Sequence, residues 1–155
     1  MSYQTLIKAL YTNFIGSASG GAISLHTYDT FPDDDDIGLT ADASANVEGS
    51  WTEIVSSVGS VDVWFTGLYV SDPNFATDYK VSFGTGAGGS ELVRAVFPYT
   101  VGALVTTSQG QTDNFYTVPF PIHITSGTRE AARAKTGSAS ADTINVVEHH
   151  AIGLV

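Results

Sequence analysis

The 155-residue chain contains no cysteine, so disulfides and thiolate metal sites are excluded and the redox compartment cannot be read from it. Charge is also scarce. Asp, Glu, Lys and Arg make up 14% of the chain, against about 25% in an average globular domain. The shortage is lopsided: six Lys plus Arg face sixteen Asp plus Glu, for a formal net charge of −10. Six cations cannot line a phosphate backbone, so direct nucleic-acid binding is not expected. No segment approaches the roughly 20 apolar residues of a membrane helix. Met1–Gly16 carries only Lys8 and no apolar run of signal-peptide length. The expectation is a soluble chain made in a cytosol. Its polar surface must come mostly from Ser, Thr, Gly and Asn, which suits a protein partly covered by neighbours.

What is present is a succession of short alternating runs punctuated by Gly, Ser, Asn, Asp and Pro. Strands are expected near Ala22–Tyr28, Trp51–Val58, Val61–Val70, Asp78–Phe83, Glu91–Phe97, Phe115–Ile124, Arg129–Lys135 and Thr143–His150. Their number and spacing predict an all-β fold, a two-sheet antiparallel sandwich or jelly roll over residues 17–155. Residues 1–16 read as an N-terminal arm or short helix. In Ser60–Ser71 the apolar face of Val61, Val63 and Phe65 switches parity to Leu68 and Val70, which predicts a bulge at Gly67. In Phe115–Ile124 the apolar parity is Tyr116, Val118, Phe120, Ile122 and Ile124. Pro119 and Pro121 remove donors on the other parity, which predicts an edge strand. Arg129–Lys135 is rich in helix formers, but seven residues between turns make an isolated helix marginal, so a strand is expected.

No pattern in the chain points to catalysis. Asp33–Asp36 lacks the spacing of a calcium loop and reads as a solvated, self-repelling loop. His26, His123, His149 and His150 show no metal-ligand spacing. His149 and His150, being adjacent on a strand, should face opposite ways. The glycine-rich Phe83–Ser90 has no phosphate-loop lysine and reads as an inter-strand loop. There is no nucleophile elbow, although carboxylates distant in sequence can still meet in space. Trp51, Trp64, Tyr69 and Tyr79 are candidates for a sugar platform, for the second sheet of a sandwich or for a subunit interface. No catalytic, cofactor or metal residue is assigned. Trp64, Arg129 and Arg133 are the candidate interface residues, the two arginines because cations are few and both fall on one short segment.

The order of segments carries a resemblance. Trp51–Val55 is followed by Tyr79–Phe83 with its Gly-rich turn, Glu91–Pro98, the aromatic-Pro strand and Ser-Gly-x-Arg turn of Phe120–Lys135, and Asp142–Glu148. Taken together they cover about two-thirds of the chain and resemble structural proteins of tailed-bacteriophage virions, most of all the capsid decoration or cement class. The resemblance implies a jelly-roll-like fold, a non-enzymatic role, location in the virion, the major capsid protein or other virion proteins as partners, and a homo-oligomer. It transfers no catalytic residue and is silent on Met1–Ser50. The alternative is a carbohydrate- or receptor-binding β-sandwich of a phage tail component.

Overall fold

The structure is a computed structural model that describes residues 28–31, 36–101 and 114–152, with the backbone alone at 28–31 and 152. These residues form nine strands and no helix: β1 (Tyr28–Phe31), β2 (Ile37–Thr40), β3 (Thr52–Val55), β4 (Val63–Ser71), β5 (Asp78–Thr85), β6 (Leu92–Thr100), β7 (Asn114–Ile124), β8 (Glu130–Thr136) and β9 (Thr143–Ile152). The arm expected over residues 1–16, and most of the strand expected at Ala22–Tyr28, lie outside the described residues.

Two antiparallel sheets pack face to face. One has the order β1-β9-β4-β7, with β2 also on β9; the other has the order β3-β8-β5-β6. Counting β2 to β9 as eight strands, the first sheet takes the first, eighth, third and sixth, and the second takes the second, seventh, fourth and fifth. That interleaving is a jelly roll. β1 and β2 run end to end along one edge of β9: Tyr28–Phe31 lies opposite Ala151–Glu148, and Ile37–Thr40 opposite Val146–Thr143.

Alternation explains which residues fill the interior. Val63, Phe65, Leu68 and Val70 of β4 face Tyr79, Val81 and Phe83 of β5, and Phe65 stacks on Phe83 with centroids 4.0 Å apart. The parity switch in β4 is a register shift between Phe65 and Gly67, as the sequence predicts. A Cβ at Gly67 would overlap the Tyr116 carbonyl oxygen, so the bulge brings two backbones too close for any side chain. Val61, expected on the apolar face, precedes the strand and is 51% exposed.

β7 is an edge strand paired only with β4, as expected. Its register jumps from Ile122 opposite Phe65 to Thr117 opposite Gly67, leaving Val118–Pro121 without ladder partners. The two prolines sit where the ladder is already broken. The break also overturns one expectation: Phe120 does not follow the inward parity of its neighbours and is 69% exposed. β8 is a strand, with Glu130, Ala132, Ala134 and Thr136 inside and Arg133 and Lys135 outside.

Candidate functional site

The three candidate interface residues fall on opposite outer faces. Trp64 lies on the outer face of the β1-β9-β4-β7 sheet, its ring 4.8 Å from that of His123 on β7. His123 Nε2 is 2.8 Å from Asp62 Oδ2, and the Ser126 N–H donates to Asp62 Oδ1 at 2.8 Å. The Ser126 N–H, helped by His123, holds the Asp62 carboxyl below its usual range. Along the same face Thr66, Tyr69, Phe115, Thr117 and His149 line an open depression of about 510 Å³. Phe115 meets His149 edge-on there at 4.7 Å. No carboxylate lines this depression.

Arg129 and Arg133 belong to the other outer face. Arg129 donates from Nε to Glu53 Oε2 and from Nη1 to Glu91 Oε1, each at 2.6 Å. Arg133 lies 4.4 Å above the Trp51 ring, with Nε 3.4 Å from Glu48, which also pairs with Lys135 at 3.3 Å. Trp51 in turn lies against Gly84, where a Cβ would come within 2.6 Å of the ring. Both arginines thus have intramolecular partners, and neither approaches Trp64.

A charge partition emerges once the strands are placed. Of the six Lys and Arg, Lys8 is outside the described residues. Lys80 on β5, Arg94 on β6, Arg133 and Lys135 on β8, and Arg129 just before β8 all belong to the β3-β8-β5-β6 sheet; Lys80, Arg133 and Lys135 take its outer parity, and Arg94 is exposed at the β6 bulge between Val93 and Ala95. Lys80 lies directly opposite Lys135. Like charges so placed repel, and among the described residues Lys80 and Arg94 form no ion pair. On the same outer parity of edge strand β6, Val93 is 41% and Val96 52% exposed. The glycine-rich segment is the β5–β6 hairpin, closed by Ser90 N–H donating to Ala87 O at 2.9 Å, which agrees with the loop reading.

Asp36 is the described member of the aspartate run. It accepts from Asn145 Nδ2 at 2.9 Å and Ser71 Oγ at 3.2 Å, so it anchors the start of β2 and is not merely solvated. Asp33–Asp35 lie outside the described residues.

Sequence reasoning missed one constellation. Between the sheets, wholly buried, sit Glu130 of β8 and Glu148 and His150 of β9. His150 Nε2 is 3.0 Å from Glu130 Oε1, and the imidazole meets Phe65 edge-on at 5.9 Å. His149 faces outward and His150 inward, as adjacency on a strand requires. One donor atom from each of the three side chains lies within 4.8 Å of the others. Burial, and then the nearby Glu130 carboxyl, push Glu148 well above the ordinary carboxyl range. Parity carried the signal: Glu148 and His150 continue the inward parity of Ile144 and Val146, and Glu130 that of Ala132 and Ala134. The chain matches no protein-family model, no curated protein and no solved structure.

Proposed function

We propose that the chain is a non-enzymatic structural protein of a tailed-phage virion that binds the capsid surface as a decoration or cement protein. The observation that carries this reading is the outer face of the β3-β8-β5-β6 sheet. On a protein of net charge −10, every described Lys and Arg belongs to that one sheet or its flank, with Lys80, Arg133 and Lys135 on its outer parity beside exposed Val93 and Val96. A flat apolar edge with unpaired cations fits an acidic, carbonyl-rich protein surface. Many copies bound to one lattice gain avidity from modest individual interfaces. The segment order that resembles decoration proteins supports the same reading, and the jelly roll is an architecture of viral capsid domains, by analogy only. Arg133 and Arg129 then brace the face, and Trp64 lies away from it.

One observation favours the tail-component alternative. The aromatic depression of Tyr69, Phe115 and His149, with Thr66 and Thr117 hydroxyls, fits a sugar ring.

The test is to band particles from cultures producing the chain on a density gradient and image them. Copurification with heads at a fixed ratio to the major capsid protein, with density on the head surface, is the expected result. Arg94→Glu with Val96→Asp should empty those positions while leaving the free protein's Tm unchanged. Density on tail fibres selects the alternative, and absence from every particle band overturns both.

A further inference from the structure

The interior of the sandwich holds a donor set that its own fold leaves incomplete. Glu148 is fully buried, and neither of its carboxyl oxygens accepts from an N–H or hydroxyl group; Glu130 Oε2 accepts from none either, so a proton shared between the two carboxyls is all that could bond them. Buried polar atoms are nearly always partnered, so three such oxygens in one place call for a reason. They face each other across the sandwich, with Glu130 on one sheet and Glu148 and His150 on the other.

We propose that Glu130, Glu148 and His150 form an interior site for a divalent transition-metal ion of the zinc class, which ties the two sheets together. Two carboxylates, a neutral imidazole and one divalent cation sum to zero charge, which a closed apolar interior requires. Imidazole selects the transition metals over magnesium or calcium. Calcium wants six to eight oxygens, more than two glutamates offer. Zinc takes nitrogen and carboxylate oxygen at about 2.0–2.2 Å in a tetrahedron whose donor atoms are then about 3.4 Å apart. The donors here already lie within 4.8 Å, and Nε2 and Oε1 at 3.0 Å. The widest pair closes by no more than about 1.4 Å. With one donor atom from each side chain, the three residues supply three of the four tetrahedral positions. The ring of His150 is fixed by Phe65, and Leu68 and Phe83 flank the ligand strands through their pairing with Glu148 and Ala132. All three ligands are fully buried, so no substrate reaches the site and its role is structural. The site is independent of the docking face and stands or falls separately from the virion reading.

The full chain is purified from zinc-supplemented medium, dialysed free of loose metal and assayed by inductively coupled plasma mass spectrometry. In parallel it is refolded from denaturant in EDTA or in excess Zn²⁺. One zinc per chain is expected, with less than about a tenth as much in Glu148→Gln. The zinc-refolded parent should melt about 5–10 °C above the EDTA form, the shift given by a ligand near a hundred times its dissociation constant. His123→Ala, which alters the exposed His123–Asp62 pair, should bind zinc as the parent does. Where Glu148→Gln fails to fold, Co²⁺ in the parent substitutes: the intense visible bands of a four- or five-coordinate site are expected. A parent without metal, zinc retained by Glu148→Gln, zinc lost in His123→Ala, or a six-coordinate cobalt spectrum each overturns the proposal.

Discussion

Replacing His150 with Leu in the metal-free protein isolates what the buried cluster costs and what holds it. His150 Nε2 lies 3.0 Å from Glu130 Oε1, and both residues are fully shielded from solvent. Leucine fills similar space but offers no hydrogen. Glu130 Oε1 then loses its imidazole contact inside a closed interior, where an unmet polar atom costs free energy. Removing one partner of a buried pair costs about 3–5 kcal/mol, whereas exchanging the whole group for apolar residues of similar volume is often neutral or stabilising. Glu130→Met, Glu148→Leu and His150→Leu together should therefore be more stable than His150→Leu alone, and within about 2 kcal/mol of the parent. In a domain of this size the single substitution lowers Tm by about 10 °C or more. Urea denaturation in EDTA at pH 7 reads both, with midpoints compared at unchanged slope. A single substitution costing under about 1 kcal/mol, or a triple costing the sum of its parts, would refute the reasoning.

Three further outcomes follow from the structure. In EDTA, Glu148 is protonated in the folded chain at pH values where the unfolded chain, at the ordinary value of 4.5, has lost its proton. Its contribution is complete below that pH and is lost as pH rises through the folded value, at up to about 1.4 kcal/mol per pH unit; Glu148→Gln cannot ionise, and its Tm should be the flatter of the two from pH 5 upward. Gly67→Ala should cost about 1–3 kcal/mol, because the new methyl meets the Tyr116 backbone and not a movable side chain. Gly88→Ala, whose nearest neighbour is the Arg129 guanidinium at 4.0 Å, should stay within about 0.5 kcal/mol by the same denaturation assay.

The strands legible in the sequence were those with a long alternating pattern of their own. β4, β5, β7 and β9 each span eight or more residues, and over that length a period of two is unmistakable. β2 is four residues, directly after Asp33–Asp36, and its partner β9 is about a hundred positions away; nothing local marks it. Phe120 was misplaced because parity counting assumes an unbroken ladder, and β7 breaks its ladder at Val118–Pro121. β8 shows tertiary pairing overriding helix propensity: Ala132 and Ala134 are small enough for the interior, and both edges of the strand find partners in β3 and β5.

The buried cluster was illegible for a different reason. Its residues, at positions 130, 148 and 150, have no motif spacing, and they meet only because β8 and β9 lie in opposite sheets with their inner faces opposed. Parity did place Glu148 with Val146 and Glu130 with Ala132, but parity reasoning starts from apolar residues and passes over charged ones that keep the same phase. In a sandwich, a charged residue in phase with the core is the stronger signal, because burying it carries a penalty that an exposed position would avoid. Three such residues meeting across the sheets are therefore unlike the pairs of Arg129 with Glu91 or Lys135 with Glu48, which do not bridge the two sheets' inner faces. The alternation that turns His149 toward the aromatic depression and His150 toward the interior gives β9 two separate tasks, one on each face, and substitutions at the two positions should act on different properties of the molecule.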